Sequence, residues 1–571
     1  MMRRMFDEHE KRRVISLDGA WRFVTDPEGV GEAEKWFCDL PEETIHMEVP
    51  SCWNNTMGFL EYEGDAWYSR EFYCEGGCIR LCFGAVMTEA TVWLDGEKLG
   101  SHYGGFSAFH FLAVADEGYH TLTVRVNNRF DADSIPQAKV DWYHYGGIVR
   151  GVDVEYLRDL SVLSCRLEYK LNESRDTAET VVRAKIFNAS EQTVTAPLLV
   201  ALEDEVLIRG EITLGSYEEA EVESEPISIG DIKLWDVNDP YLYTLVAETP
   251  TDDLLDRVGF RTIEVKDNSI QLNGRAIEIR GVCRHEEHPE FGFAFPRTLM
   301  QRDIDIIKEM GGNAIRGAHY PNSKAFVDML DEQGLLFWSE IPIWGVGFSE
   351  EALANPTVVA RGLEMIREME DQYYNHPCII IWGMHNEILS GTQAAYEMTR
   401  QYHDELRANG GNRLVTHATA RPLEDICYEF DDIICINHYT GWYGGNMNNW
   451  EKVIAGHTAR RNALGFADKP ILYSEFGGAA IYGHHTFDDI KWTEEYQARL
   501  FAHCLELFHK TPQIVGWYIW QFCDMRTCRE MGNDRARGFN NKGILNEYRK
   551  PKMAYLTVRE KCRRFAEEEN Q

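Results

Sequence analysis

The chain has 571 residues and a formal net charge of −35. Because one hydrophobic core does not support this length, roughly two to four domains are expected. The acidity argues against a nucleic acid or an acidic membrane surface as a partner, since both require positive patches.

Cysteine usage and the N-terminal segment indicate a compartment. The 14 cysteines follow no regular framework, and most lie in apolar strand-like runs, as Cys82 and Cys435 do. Buried free thiols of this kind are typical of a reducing compartment. Residues 1–11 are charged without an apolar signal region, and no segment approaches the length of a membrane span. We therefore expect a cytoplasmic protein with no membrane partner.

The first 265 residues predict two β-sandwiches. Residues 1–157 contain short strands punctuated by turns, among them a hairpin at 92–100 around Asp95-Gly96, and we expect a jelly roll there. Residues 158–265 contain strands such as 180–187 and 193–202 between acidic stretches. This second pattern favours an immunoglobulin-like sandwich.

From residue 266 to 571 the pattern changes to alternating strands and helices. Apolar residues at 300, 304, 307 and 310 recur at close to helical spacing, and Gly311-Gly312 ends that helix. The strand-like runs number eight, at 277–280, 314–316, 335–338, 379–382, 414–417, 433–436, 471–473 and 514–520. Alternation over roughly 250–300 residues predicts a (β/α)8 barrel.

Two glutamates carry the functional prediction. Glu387 follows the fourth predicted barrel strand and Glu475 follows the seventh. Side chains at the C-terminal ends of barrel strands meet at one mouth, where paired carboxyls can cleave a glycosidic bond. A single glutamate at a strand end can instead serve only as a structural hydrogen-bond partner. Asn386 supplies an amide that could hold the sugar's 2-hydroxyl.

Several motifs resemble glycoside hydrolase family 2 along the whole chain. Residues 382–387 (Trp-Gly-Met-His-Asn-Glu) and 474–477 (Ser-Glu-Phe-Gly) are similar to the acid/base and nucleophile motifs of that family. Residues 17–23, 234–243 and 280–286 resemble its opening, the end of its immunoglobulin-like domain and its first barrel strand. The resemblance implies that Glu387 is the acid/base, that Glu475 is the nucleophile and that configuration is retained.

The same resemblance suggests the sugar. Asn540-Asn541-Lys542-Gly543 is similar to the Asn-x-Lys signature of the family's β-glucuronidases, which implies that Asn540 and Lys542 grip a C6 carboxylate. Such a lysine would be the focused cation that an acidic protein needs for a uronide substrate, with Arg535 or Arg537 nearby. The alternative is a surface lysine without a binding role.

Further substrate-binding residues follow from matching motifs. The resemblance implies that Asp141 reaches from the jelly roll to the C4 hydroxyl and that a tyrosine of the strand-six cluster bonds the nucleophile. The other matched positions line the site, and the full additional set is Asp141, His319, Asn437, Tyr439, Tyr443 and Trp520. Core packing, or support of another site residue without contact to the sugar, is the alternative role for each of these residues.

One position departs from the β-glucuronidase pattern. Ala536 stands where an arginine is typical, between Arg535 and Arg537. The change could reshape the C4 side of the pocket, so a β-galacturonidase is the first alternative and a β-galactosidase the next. A non-catalytic sugar-binding protein is a further alternative, although neither glutamate nor Asn386 is lost. No long insertion follows residues 343–344, which predicts an open aglycone side.

We expect no cofactor and no metal. His285-Glu286-Glu287-His288 matches no zinc-protease helix spacing, because only two residues separate the histidines. Relatives in the family are often dimers or tetramers, and the resemblance suggests a homo-oligomer here too.

Overall fold

The computed structural model describes residues 4–345 and 347–569. Within these residues the chain forms two β-sandwiches, a small antiparallel sheet and a closed barrel. No helix in the described part of the chain is long and apolar enough to cross a membrane. All 14 cysteines are free thiols, and only Cys38 is fully exposed.

The N-terminal sandwich contains eight antiparallel strands. The strands are β1 Val14–Ser16, β2 Gly19–Asp26, β3 Ile45–Val49, β4 Asp65–Met87, β5 Glu89–Leu94, β6 Glu97–Tyr103, β7 Phe109–Asn127 and β8 Gly147–Leu157. The long β4 pairs with β2, β7 and β8, which joins the layers of the sandwich. The predicted hairpin is confirmed, because β5 pairs with β6 across Asp95 and Gly96, both of which have positive φ.

The second sandwich has two four-stranded sheets. Its strands are β9 Leu160–Leu171, β10 Ala178–Asn188, β11 Val194–Leu202, β12 Glu205–Leu214, β13 Glu219–Glu223, β14 Ile227–Ile229, β15 Tyr243–Glu248 and β16 Asp253–Val258. The strands predicted at 180–187 and 193–202 correspond to β10 and β11.

A three-stranded antiparallel sheet of β17 Ile263–Lys266, β18 Ser269–Leu272 and β19 Arg275–Ile277 precedes the barrel. The first barrel strand therefore begins at Ile279, two residues later than expected, where it pairs with Gly516 of the last strand.

The barrel is closed by eight parallel strands, as the sequence predicts. They are β20 Ile279–Arg284, β21 Ala314–Gly317, β22 Leu336–Glu340, β23 Ile379–Asn386, β24 Leu414–Thr419, β25 Ile434–Asn437, β26 Ile471–Phe476 and β27 Ile514–Ile519. All their residues are buried, because helices cover the outside and side chains fill the inside.

The helices are α1 Arg297–Glu309, α2 Lys324–Gln333, α3 Glu350–Leu353, α4 Pro356–Tyr373, α5 Gln393–Asn409, α6 Trp450–Ala463, α7 Glu494–His509 and α8 Met553–Glu569. Helix α1 ends before Gly311, as predicted, and Gly311 has a φ of 86°. A short hairpin of β28 Met525–Arg526 and β29 Phe539–Asn540 follows the last barrel strand.

A loop of the first sandwich packs into the barrel mouth. Trp142 is fully buried, and its ring lies 5.6 Å from those of His285 and His319 and 5.7 Å from that of Trp344. This apolar contact carries the neighbouring Asp141 to the C-terminal ends of the barrel strands.

Candidate active site

A cavity of about 440 Å³ opens at the C-terminal ends of the barrel strands. Its lining combines carboxyls, amides and aromatic rings: Asp141, Trp344, Glu387, Ala420, Asn437, His438, Tyr439, Thr440, Tyr443, Gly444, Glu475 and Trp520. Seven of the residues proposed from the sequence are in this set, and Asp141 comes from another domain. The fold therefore brings most of the candidate site together.

Glu387 directly follows β23 and is held in a constrained conformation. Its φ is 56°, in the left-handed region that residues other than glycine rarely adopt. Non-glycine residues in this region cluster at functional sites, where the surroundings hold them in place. The amide nitrogen of Asn437 donates to Glu387 Oε1 at 2.8 Å.

Glu475 lies near the end of β26 and accepts two strong hydrogen bonds. Arg316 Nη1 donates to its Oε1 at 3.0 Å, and the Tyr439 hydroxyl donates to its Oε2 at 2.6 Å. The side chain is almost fully buried. Both bonds favour the ionised carboxylate, because a cation and a hydroxyl donor stabilise negative charge.

Arg316 and Glu340 are central residues that the sequence reasoning missed. Arg316 donates to both Glu340 oxygens, at 3.0 and 2.9 Å, and to Asn386 Oδ1 at 2.7 Å. Both residues are fully buried in strands β21 and β22. Each residue could have been noticed in the sequence as a charged residue in or just after a predicted buried strand, because a buried charge requires a partner.

Asn386 is oriented by these contacts. Its Oδ1 accepts from Arg316 and from Asn437 Nδ2, the latter at 3.0 Å. Its Nδ2 has no hydrogen-bond partner among the described residues. The amide nitrogen beside Glu387 is therefore available as a donor.

The two carboxyls influence one another. Burial raises the pKa of Glu475 well above its usual range, and the nearby Glu387 raises it further, whereas Arg316 and Tyr439 oppose the rise. Burial likewise raises the pKa of Glu387, with Asn437 opposing and Asp141 adding to the rise. Simultaneous ionisation of neighbouring carboxyls is unfavourable, so one proton is retained by the pair over a wide pH range.

Three polar residues close the side of the cavity nearest the first sandwich. Arg535 Nη2 donates to Asp141 Oδ1 at 2.5 Å, and Asn540 Nδ2 donates to Asp141 Oδ2 at 3.1 Å. Arg535 Nη1 also donates weakly to the Tyr443 hydroxyl at 3.4 Å. The Asp141 carboxylate raises the pKa of Arg535 against the opposing effect of burial, so the guanidinium is charged.

Lys542 is buried without an acidic partner. Only 1% of its surface is exposed. Its Nζ lies 4.9 Å from the ring centre of Tyr443 and 5.7 Å from that of Tyr439, and it makes no hydrogen bond or ion pair with the described residues. Its charge is close enough to lower the pKa of Glu387 slightly against the effect of burial.

Trp520 lines the cavity, and the fully buried His319 packs against its ring. Their rings stack at 5.0 Å, His319 Nδ1 contacts Glu340 Oε1 at 2.7 Å, and His319 Nε2 lies 3.8 Å from Glu475 Oε1. Burial and the charge of Arg316 hold the pKa of His319 well below its usual value, so the ring is neutral.

Arg537 does not contact Asp141, unlike Arg535 and Asn540. Its guanidinium donates to Glu547 Oε1 at 2.9 Å and to Asn541 Oδ1 at 3.0 Å, and it is largely exposed. Ala536 accepts a hydrogen bond from the Asn541 amide. The arginine that reaches the cavity is thus Arg535, the residue before Ala536.

The His285–His288 segment is divided among separate contacts. His285 meets the Tyr320 hydroxyl at 3.1 Å, Glu286 pairs with Arg150 at 2.9 Å and Glu287 accepts from Tyr145 at 2.7 Å. Elsewhere, one cluster in the described residues has metal-ligand spacing: Asp328, Asp331 and His376. Arg4 already donates to both oxygens of Asp328 there.

Family comparisons cover all three domains. Residues 14–157 match the family model for the sugar binding domain of glycosyl hydrolases family 2, and residues 263–567 match the model for its TIM barrel domain. Residues 150–261, between them, match a third model, which is described simply as glycosyl hydrolases family 2. A curated β-glucuronidase from Paenibacillus borealis is 26% identical over 96% of each chain.

Solved structures are similar over nearly the whole chain. A GH2 β-galacturonidase from Eisenbergiella tayi bound to galacturonate superposes with a TM-score of 0.91 at 34% identity, covering 99% of each chain. A β-glucuronidase from Ruminococcus gnavus in complex with D-glucuronic acid has a TM-score of 0.85 at 27% identity, covering 98% of this chain and 99% of that one.

Proposed function

Because this chain belongs to glycosyl hydrolase family 2 and is a glycosidase, we propose that it removes a terminal β-linked uronic acid by a retaining mechanism. The proposal is carried by the environment of Lys542: its side chain is buried, its charge acts on Glu387, and it forms no ion pair with the described residues. A buried cation is costly unless a ligand compensates it, and a C6 carboxylate would do so. A neutral sugar would leave it unpaired.

The roles of the two carboxyls follow from their partners. Burial raises the pKa of both carboxyls, and that of Glu475 well above its usual range, but of the two only Glu475 accepts hydrogen bonds from a cation and a hydroxyl. We therefore assign Glu475 as the ionised nucleophile. Glu387 accepts one amide hydrogen bond and lies near Asp141, so it keeps the shared proton. This division matches the acid/base and nucleophile roles expected from the motifs.

The reaction then has two steps. Glu475 attacks the anomeric carbon while Glu387 gives its proton to the leaving oxygen, and a covalent glycosyl-enzyme forms. Glu387 next takes a proton from water, which attacks the same carbon and releases Glu475. Two inversions at that carbon give overall retention. The free amide nitrogen of Asn386 is positioned to donate to the 2-hydroxyl during both steps.

Initial rates on matched 4-nitrophenyl glycosides test the uronide assignment. We expect kcat/KM for the β-D-glucuronide or β-D-galacturonide to exceed that for the neutral β-D-glucoside or β-D-galactoside by on the order of 10³-fold. Lys542→Met should collapse this ratio, whereas the exposed Lys550→Met should not change it. Equal turnover of a neutral hexoside by the unmodified protein would refute the proposal.

The stereochemistry is tested separately. Proton NMR of an early reaction mixture should show the β-anomer of the released sugar first, followed by mutarotation. Early appearance of the α-anomer would rule out the covalent route through Glu475.

The proposed uronide can be a glucuronide or a galacturonide, which differ only in the configuration at C4. The Asn-x-Lys signature favours a β-D-glucuronide, and the P. borealis β-glucuronidase relative supports it. A β-D-galacturonide is the second candidate, supported by Arg535 on Asp141 and by the 34% identical β-galacturonidase of E. tayi. Arg535 adds a donor on the side of the cavity where Asp141 was expected to meet the C4 hydroxyl.

Arg535→Ala distinguishes these candidates. If Arg535 serves an axial C4 hydroxyl, the variant should lose about tenfold or more in kcat/KM on the galacturonide and less on the glucuronide. Arg529→Ala is the matched control, because its guanidinium instead donates to the Glu61 carbonyl. Equal losses on both epimers would remove Arg535 from the choice.

A further inference from the structure

A second buried lysine lies behind the loop that carries Lys542. Lys552 and Asp524 are each 1% exposed, and Lys552 Nζ donates to Asp524 Oδ1 at 2.7 Å. Neither side chain lines the cavity. The Lys552 ammonium is already bound by Asp524 and by two main-chain carbonyls, so the role of the pair is not direct contact with the sugar.

The pair holds the main chain on both sides of Lys542. Lys552 Nζ donates to the carbonyl of Asn541 at 3.1 Å, and Asp524 Oδ1 accepts from the amide of Gly543 at 3.0 Å. These peptide groups flank Lys542 directly. One ion pair thus fixes the two peptide units on either side of Lys542, and these determine the position of its Cα.

The same ammonium ties this loop to the strand of Glu475. Lys552 Nζ donates to the carbonyl of Ala480 at 2.7 Å, and the Ala480 amide donates to the Asn541 carbonyl at 3.0 Å. Ala480 lies five residues after Glu475. The position of Lys542 is consequently coupled to the segment that follows the Glu475 strand.

Close packing makes the arrangement demanding. A Cβ at Gly543 would lie 2.2 Å from the Asp524 amide nitrogen and 2.4 Å from the Leu545 carbonyl oxygen. Only glycine allows the backbone to approach Asp524 this closely. The glycine after Lys542 is thereby explained by its contact with the pair.

We propose that Asp524 and Lys552 are positioning residues that set the place of Lys542 and hence the recognition of the substrate carboxylate. The inference rests on the proposed uronide function, because the effect on recognition operates through Lys542. Misplacing a binding group by about 1 Å can cost on the order of 10²-fold, so loss of the pair has a measurable consequence.

Lys552→Met and Asp524→Asn test the proposal by kinetics. Each should raise KM for the nitrophenyl uronide by about 10- to 100-fold and change kcat by less than about threefold. The inhibition constant of the free uronic acid should rise in parallel, whereas that of the matching neutral hexose should not.

A matched control separates positioning from stability. Arg549→Met removes another buried ion pair, in which Arg549 Nε donates to Asp303 Oδ1 at 3.0 Å, and it leaves residues 540–543 untouched. It should lower Tm without changing KM. The double variant Asp524→Leu/Lys552→Met should regain part of the lost Tm, because an apolar pair avoids burying an unpaired charge, yet keep the raised KM.

Hydrogen exchange gives a readout that does not depend on the substrate. Peptides covering residues 540–545 should lose protection in Lys552→Met and keep it in Arg549→Met. Unchanged protection, or a KM that recovers with Tm in the double variant, would overturn the positioning role. A failure of the proposed function looks different, since the unmodified protein would then show no preference for uronides.

Discussion

The two halves of the cavity are built in different ways. Around the glutamates the contacts are made by side chains: Arg316 and Tyr439 donate hydrogen bonds to Glu475. Asn437 donates a hydrogen bond to Glu387. Around Lys542 the ammonium is left without a partner, and the contacts are made by the main chain beside it. One half has its charges compensated, and the other retains a charge that a uronide substrate would compensate under the proposed function.

Because of this difference, we expect one half to control kcat and the other to control KM. Bonds to the carboxyls set protonation and attack, so changes there should act on kcat. Bonds to the loop set only the position of a binding group, so changes there should act on KM. Variants of Glu475, Arg316, Tyr439 and Asn437 probe the carboxyl half, whereas variants of Asp524 and Lys552 probe the half around Lys542.

The largest expected effect is that of Glu475→Ala. Removal of the proposed nucleophile should lower kcat on the order of 10⁴-fold or more, with an unchanged circular dichroism spectrum. Azide should restore turnover and give the α-glycosyl azide, because it attacks the face that Glu475 occupied. Glu387→Ala with azide should give the β-product. The same azide anomer from both variants would contradict the assignment.

Arg316→Met should be the most destabilising change. It leaves Glu340 and Glu475 buried without their cation, and breaking such a pair costs about 3–5 kcal/mol. Denaturant unfolding should show this loss. Arg316→Met/Glu340→Gln should recover part of the stability but little activity, because Glu475 still lacks its partner. Full recovery of activity would show that Arg316 is only structural.

Tyr439→Phe should have an intermediate effect. Loss of one hydrogen bond to a charged group is worth about 1.5–3 kcal/mol, so kcat should fall about 10- to 100-fold with little change in KM. Tyr443→Phe is the control, because its hydroxyl accepts only a long contact from Arg535. Similar losses in both variants would argue against a special role for Tyr439.

Asn437→Ala should produce the smallest change, seen in the pH profile. The Asn437 amide donates to Glu387 and favours its ionised form, so it lowers the pKa of that carboxyl. Without it the pKa rises, and the alkaline limb of kcat/KM should move to higher pH by about one pH unit. A shift to lower pH would show that Glu387 is not the proton donor.

Much of the architecture was readable from local patterns. Short apolar runs alternating with helical periods predict a barrel, and the strand ends predict that Glu387 and Glu475 share a mouth. These features depend on hydrophobic periodicity and on the spacing of the strands, both of which can be read from the sequence. The boundary near residue 277 was less accurate, because pairing with the last strand decides where the first one begins.

Other parts of the site depend on contacts across long stretches of chain. Nothing near Arg535 indicates that it, and not Arg537, would meet Asp141 from another domain, 394 positions away. Arg316 and Glu340 showed only an unexplained charge in a buried strand, and the contacts of Arg316 with both Glu340 and Glu475 form only when the barrel closes.

The fold class, the candidate pair of glutamates and the lysine proposed to bind an anionic sugar were all predictable from the sequence, because each corresponds to a short motif or a local period. The three-dimensional fold was needed to show which arginine contacts Asp141, which partners each carboxyl has, and how Lys552 and Asp524 hold the loop. Hydrogen bonds and burial depend on distances between residues far apart in the chain, and local patterns do not contain those distances.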